Sequence, residues 1–423
     1  MNRRIIAWLS VLLVNGVFLA AQSFMQNAMG DDWPAWRGAD GSGFSRETDV
    51  PLNWSATQNV LWRRPTPGIG HSSPIVWQDT IYLTYADTDS LTRHLLAVSK
   101  ETGETKWDTV VAKGVIEPMH KDNSPASSTP VTDGKLIYAT FCINGKLLVC
   151  AASREGDIKW STQVGGFEAN HGFSTALVLV DDKLMLSGLQ DGPDAFVAAI
   201  DPASGSVRWK VPREHCIRSY SAPLAVRINE RSAILLSGSS QTVAYDLETG
   251  QTIWKLDGPA SKTVSSIAVA EDLGLAFVSG GRDGHFFALR YNQPKSDSPL
   301  TAESLIAWQA SKGVPYVTSP YYRDGILHVV SDEGIHRVYD AATGEVKGTN
   351  RVATKVDASI VGAGDRVYIT DSSGQTTVIR NGFEFEVLAK NTINESMVAS
   401  PAISDGDIVL RSTSALYLIR DAK

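Results

Sequence analysis

The sequence predicts an all-β protein: an eight-bladed β-propeller of four-stranded antiparallel blades, closed by an N-terminal strand that joins the C-terminal blade. Three observations predict it: a hairpin motif that recurs at a fixed spacing, a Ser-Pro strand start in front of it, and a last unit short of one strand. The motif is clearest at Ala244–Trp254, AYDLETGQTIW. Ala199–Trp209 (AIDPASGSVRW) repeats it with Ser204 for Thr249, and Val338–Gly348 (VYDAATGEVKG) keeps all but the final Trp. Two strands flank a turn in which Gly250 supplies a positive φ and Asp or Thr can bond the turn backbone.

Taken in order, the first unit runs from Ser72-Ser73-Pro74 to Trp107 and the second from Ser128-Thr129-Pro130 to Trp160. The third opens at Phe173-Ser174-Thr175 and closes at Trp209, and the fourth runs from Ser221-Ala222-Pro223 to Trp254. The fifth starts at Val264-Ser265-Ser266 and carries an insertion, Asn292–Ala302, before Trp308. The sixth runs from Thr318-Ser319-Pro320 to Gly344, and the seventh from Asp357-Ala358-Ser359 to about Lys390. The eighth has Ala399-Ser400-Pro401, Ile408–Ser412 and Ala415–Arg420, and then the chain ends. The strand Asn59–Arg64 (NVLWRR), which precedes the first unit and carries the motif's Trp, is its missing fourth strand. Pairing it there hides the sheet edges of an open ring. A pair of stacked sandwiches would not explain a Trp that recurs at one fixed place in the motif.

Three segments follow: 1–23 as a signal peptide, 24–58 as an N-terminal cap, and 59–423 as the propeller. Arg3-Arg4, the apolar run Ile5–Ala21 and the small residues after it have the pattern of a secretory signal. The competing reading is a retained membrane anchor, since the run nearly suffices to span. Asp31–Ser45 (DDWPAWRGADGSGFS), Gly- and Trp-rich without periodicity, reads as an ordered cap or clasp. The protein is expected to be periplasmic or secreted, and a monomer. A formal charge of −7 argues against nucleic acid as a partner. Cys142 and Cys150 flank an Asn144-Gly145 turn that pairs Cys142 with Leu147, so these two and Cys216 are expected to be buried free thiols.

In a propeller the first strand of each blade lies nearest the axis, and the residues just before it converge on one face. Alignment of the strand starts places His71, Asp122, Asn123, His171, Arg218, Lys262, Tyr316, Lys355, Asp357 and Glu395 there. They predict a polar funnel mouth able to hold a ligand. The small Ser and Thr residues nearer the axis are attributed to crowding of eight strands. Asp191-Gly192-Pro193-Asp194 and Arg282-Asp283-Gly284 read as hairpin turns rather than calcium loops. Zincin, nucleophile-elbow, P-loop and EF-hand spacings are missing, and no metal site is expected.

At these residues the chain resembles the pyrroloquinoline-quinone-like (PQQ-like) β-propeller repeat family, which includes the quinoprotein alcohol dehydrogenases and the assembly lipoprotein BamB. The order of Trp33-Pro34-x-Trp36-Arg37-Gly38, Gly70–Pro74 and Ala126–Pro130 is similar to exported propellers of planctomycete-type bacteria. The resemblance implies that Trp62, Trp107, Trp160, Trp209, Trp254 and Trp308 dock between neighbouring blades, with Gly348 and Leu388 in that place in units six and seven. The family's dehydrogenases hold PQQ with Ca2+ beneath a ring disulfide of adjacent cysteines. No adjacent cysteines occur here, and no cofactor is expected. The expected function is that of an exported, non-catalytic scaffold or binding module for an envelope protein or a small polar ligand. The alternative is a PQQ-dependent quinoprotein-type oxidoreductase or another envelope enzyme, with His71 and His171 as acid–base groups.

Overall fold

The computed structural model describes residues 32–213, 216–258, 262–281, 284–292 and 301–422. The expected signal segment 1–23, the start of the cap and the Arg282-Asp283 part of one expected turn lie outside these residues. Among the described residues the strands form eight sheets. Blade 1 comprises Ile75–Trp77, Thr80–Asp87, Thr92–Ser99 and Thr105–Lys113, and each following unit repeats that antiparallel order from axis to rim. Among the described residues the named helices are single turns at Glu271–Leu273 and Ala302–Leu305, and none is long and apolar enough to cross a membrane. Blade 8 is composite: Ala402–Ser404, Asp407–Arg411 and Ala415–Ile419 are completed by Val60–Pro65, with Trp62 opposite Leu418.

The hairpin motif has a physical account residue by residue. Asp246 Oδ1 accepts from the Glu248 and Thr249 backbone N–H groups (3.1 and 2.9 Å) and from Thr249 Oγ1 (2.8 Å), which fixes the turn. Asp201 and Asp340 repeat these bonds in blades 3 and 6. In all eight blades the ladder between third and fourth strands carries a register shift at this point, as between Ala244 and Tyr245. Such a bulge raises the local twist and re-aims the side chain beside it.

That side chain is the Trp, which lies on the next blade. Trp62, Trp107, Trp160, Trp209, Trp254 and Trp308 donate Nε1–H to the carbonyls of Lys100, Arg154, Pro202, Leu247, Tyr291 and Ala341, at 2.7–3.2 Å. Five of the six rings cover the turn glycine of the next blade: Gly103, Gly156, Gly205, Gly250 and Gly344. Units six and seven depart for local reasons. Gly348 faces the backbone of Phe383 in the blade 7 turn, and Phe385 from that turn packs on His336. In blade 7 the register opposite Val378 belongs to Ala389, not to Leu388 as the sequence alone suggested. Blade 8 has no third-to-fourth hairpin for a Trp to cover, because the two chain ends meet there. Instead Trp54 enters from the cap, stacks on Tyr368 at 6.3 Å and shares a buried cluster with Ala389.

The cap does more than lead into the propeller. Trp33 bridges Val76 of blade 1, Pro34 accepts from Thr132 of blade 2, and Phe44–Ser45 adds a parallel fifth strand to the inner edge of blade 7. Between them Arg37 donates to the Pro320 carbonyl of blade 6 (2.6 Å), and Gly41 lies against Leu224 of blade 4. The segment therefore crosses the axial channel and plugs one end. The three cysteines are free and buried, and Cys142 pairs with Leu147 as the Asn144-Gly145 turn requires.

Two predictions follow from this packing. A Cβ at Gly250 would lie 2.6 Å from the Trp209 ring, at φ +71°. Gly250→Ala is expected to destabilise by roughly 1–3 kcal/mol, read as a lowered midpoint in denaturant unfolding. The second concerns His328 and His336, a buried pair with ring nitrogens 3.0 Å apart. Burial pushes their pKa values down to about 4 and about 3, against ~6.5 in an unfolded chain. Between those limits the unfolded chain binds more protons, so this contribution is present at neutral pH and lost as pH falls from about 6.5 toward 4. Calorimetric Tm should drop over that window, and with a shallower slope in His336→Phe.

Candidate functional site

The end of the channel opposite the plug opens into a cavity of about 640 Å³, floored by Trp36. Its walls follow from strand alternation carried backwards from each first strand. The residue four before the strand faces the cavity in every blade: His71, Ser127, Ser174, Tyr220, Val264, Val317, Asp357 and Val398. The residue two before the strand forms a narrower ring of Ser73, Thr129, Ala176, Ala222, Ser266, Ser319, Ser359 and Ser400, of which all but Ser319 line the cavity.

This inner ring is a belt of hydrogen bonds. The backbone N–H of Ser73 donates to Thr129 Oγ1 of the next blade at 2.9 Å. The N–H groups of Ala222, Ser266, Ser319 and Ser359 donate in the same way to the hydroxyls of Ser266, Ser319, Ser359 and Ser400, at 2.8–3.0 Å. Ser400 N–H then donates to Ser73 Oγ at 3.0 Å, which closes the circle between the last blade and the first. The two junctions without such a bond are those whose acceptor position is Ala176 or Ala222. At the blade 2 to blade 3 junction Ser128 Oγ donates to the Thr175 carbonyl instead, at 2.8 Å. The small residues near the axis therefore join the blades, beyond the steric role expected of them.

Above the belt the mouth is charged. Arg218 donates through Nε to His171 Nδ1 (2.6 Å) and through Nη1 to Asp191 (2.7 Å). Burial lowers the His171 pKa, with Arg218 adding to the effect, and burial also lowers that of His71, with Arg411 second. For Asp191 burial acts upward but is outweighed by the bonds from Arg218, so the carboxyl sits below its usual range. Asp357 accepts from Lys355 (2.9 Å) and Ser372 (2.7 Å). Lys355 also lies 3.9 Å from Asp122, which belongs to the loop between blades 1 and 2. That loop therefore reaches across the mouth, and it is held by Asn123 Nδ2 donating to the His171 carbonyl at 2.6 Å and by ring contact between His120 and His171.

Of the residues expected at the mouth, His71, Asp122, Asn123, His171, Arg218, Lys262, Tyr316 and Asp357 line this one cavity. Lys355 stands half-exposed at its rim. Glu395 does not line it. Its carboxylate accepts from Arg63 (2.6 Å), Tyr417 (2.5 Å) and Ser414 (2.6 Å), and it clasps the N-terminal strand of blade 8 to the C-terminal one. Trp36, His120, Tyr220 and the complete rings were missed. Counting back in twos from each first strand would have found the rings, because the pleat fixes that period. Nothing in the cap's aperiodic sequence signals that Trp36 reaches the axis.

The family model described as outer membrane protein assembly factor BamB matches residues 45–188, about a third of the chain. The comparison with curated proteins gives no match. Among solved structures, the chain is similar to the quinohemoprotein alcohol dehydrogenase from Comamonas testosteroni, with a TM-score of 0.67 at 12% identity over 95% of this chain and 83% of that one. It is similar to BamB from Moraxella catarrhalis, with a TM-score of 0.60 at 12% identity over 85% and 97%. A europium-containing methanol dehydrogenase gives 0.54 at 11% identity over 91% and 90%.

The clasp role of Glu395 makes a prediction. Glu395→Gln should lower Tm by several degrees, since charge-assisted bonds to Arg63 are weakened, while affinity for any funnel ligand stays within about twofold. Taken with the blade count and the composite closure, these likenesses identify the chain as an eight-bladed propeller with the fold of the PQQ-like and BamB-like repeat proteins.

Proposed function

We propose that this protein is an exported, non-catalytic binding module that takes a small polar ligand into the funnel. The observation that carries this reading is the cavity itself: one residue per blade converges on it at two levels, and the cap plugs its far end. A ligand then enters from one face and meets an aromatic floor, which is the form of a binding pocket rather than of a through-channel. The charged groups at the mouth are already paired with one another, as in Arg218 with Asp191 and Lys355 with Asp357. His171 accepts from Arg218 through Nδ1, and both candidate histidines are biased toward the neutral form. An arrangement of this kind orients a ligand more readily than it cycles protons.

A second reading, a quinoprotein-type oxidoreductase, is favoured by the likeness of the fold to quinohemoprotein alcohol dehydrogenase. The chemistry of the donor set does not fit a calcium-held quinone. Among the described residues no three metal-ligating side chains converge, the two funnel aspartates share Lys355, and no cysteine lines the cavity. A scaffold role toward an envelope protein draws on the likeness to BamB, and the blade loops would carry it.

The test is a calorimetric screen of sugars, amino acids and carboxylic acids on the mature chain, with PQQ plus Ca2+ and a dye-reduction assay beside it. At least one polar class should bind with one site per chain, and Trp36→Ala should weaken it by about tenfold or more. Turnover with PQQ would select the second reading.

A further inference from the structure

The belt leaves a set of donors without acceptors. A hydroxyl carries one O–H and two lone pairs. The hydroxyls of Ser73, Thr129, Ser266, Ser319, Ser359 and Ser400 each accept a neighbour's N–H, and no protein atom among the described residues accepts from any of them. All six residues are no more than 5% exposed. A buried O–H seeks a partner, and here the backbone side is already occupied. The free direction is the axis, which five of the six line as cavity wall.

Two guanidiniums bond to residues adjacent in sequence to members of this ring. Arg411, fully buried, donates to the carbonyl of Ser72 (2.8 Å) and to its hydroxyl (2.5 Å), one residue from Ser73. Arg37, also buried, donates to the carbonyl of Pro320, one residue from Ser319, and its Nε and Nη1 have no partner. Neither forms an ion pair with a carboxylate among the described residues, and burial alone pushes the Arg411 pKa down to about 9. The carboxylate that acts on Arg37 through space is that of the exposed Asp40, so two buried cations outside any carboxylate ion pair, beside six free O–H groups, make a region short of negative charge. The mouth's aspartates do not meet that need, being tied to Arg218 and Lys355.

We infer that the throat of the funnel is an oxyanion site, which seats a carboxylate or phosphate group of the ligand on the ring of serine and threonine hydroxyls beside Arg411 and Arg37. The site rests on the reading of the funnel as a ligand pocket and adds the class of ligand. Lys262 at the mouth lies on the entry path and would draw an anion toward it.

The experiment is isothermal titration of the mature chain, in low-chloride buffer, with inorganic phosphate, succinate and neutral glucose. Saturable binding of phosphate or succinate is expected, and whichever is tighter shows which oxyanion the ring prefers. Ser359→Ala/Ser400→Ala should weaken it by about tenfold or more, since hydrogen bonds to a charged group are among the stronger ones. Because that double variant also loses belt acceptors, the wild-type crystal soaked in selenate gives an independent readout, with an anomalous peak expected on the axis at the ring. Glucose binding in the funnel without either anion would overturn the oxyanion site and leave the pocket reading standing. Binding of none of the three would count against both. Selenate found at Arg218 and Lys262 but not at the ring would overturn the site as placed.

Discussion

The belt of hydroxyls around the axis, bonded at six of its eight junctions, is the constraint on which the rest of the structure depends. The first strands of the blades run only two to five residues, so little of their own ladder holds them near the axis. Each would bring a backbone N–H into a crowded region without a sheet neighbour. Donating that N–H to a side-chain hydroxyl on the next blade satisfies it and sets the spacing between blades together. Each such bond contributes about 0.5–1.5 kcal/mol, and the last of them joins Ser400 to Ser73, residues at opposite ends of the propeller. The two positions occupied by alanine show how far the ring tolerates a gap.

At larger radius the same junctions are made by tryptophan on glycine. The bulge turns the Trp outward onto the next blade, where a turn glycine leaves room for the ring and a backbone carbonyl accepts its N–H. Where the pattern stops, something else fills the space: Phe385 between blades 6 and 7, and Trp54 between blades 7 and 8. The composite blade has no hairpin to be covered, so the loss of Trp there follows from how the chain ends meet. Glu395 then ties those ends together from the side.

Much of this was legible in the sequence because it repeats. The period, the motif Asp, Gly and Trp, and the missing fourth strand supplied by Val60–Pro65 all leave a mark at fixed spacing. The belt was not legible as a bonded ring. A Ser before a Pro looks the same whether its hydroxyl faces a neighbour or merely fits, and only the placement of the next blade distinguishes them. The funnel was legible in outline, since eight of its expected residues share one cavity. The level of each was blurred, because loop residues such as Asp122 and His171 were aligned with wall residues such as His71 and Asp357. Glu395 was misplaced by that same blur. The plug formed by Asp32–Ser45 and the buried Arg37 within it depend on contacts with five different blades, which no local pattern encodes.

Residue-resolved amide hydrogen exchange on the native chain tests the belt most directly. The amides of Ser73, Ala222, Ser266, Ser319, Ser359 and Ser400 should exchange only through opening of the ring, at closely similar and slow rates, while those of Thr129 and Ala176, which face alanine at the acceptor position, should exchange faster. Uniform exchange across all eight amides, or rapid exchange of the six, would contradict a ring held at its axis by these bonds.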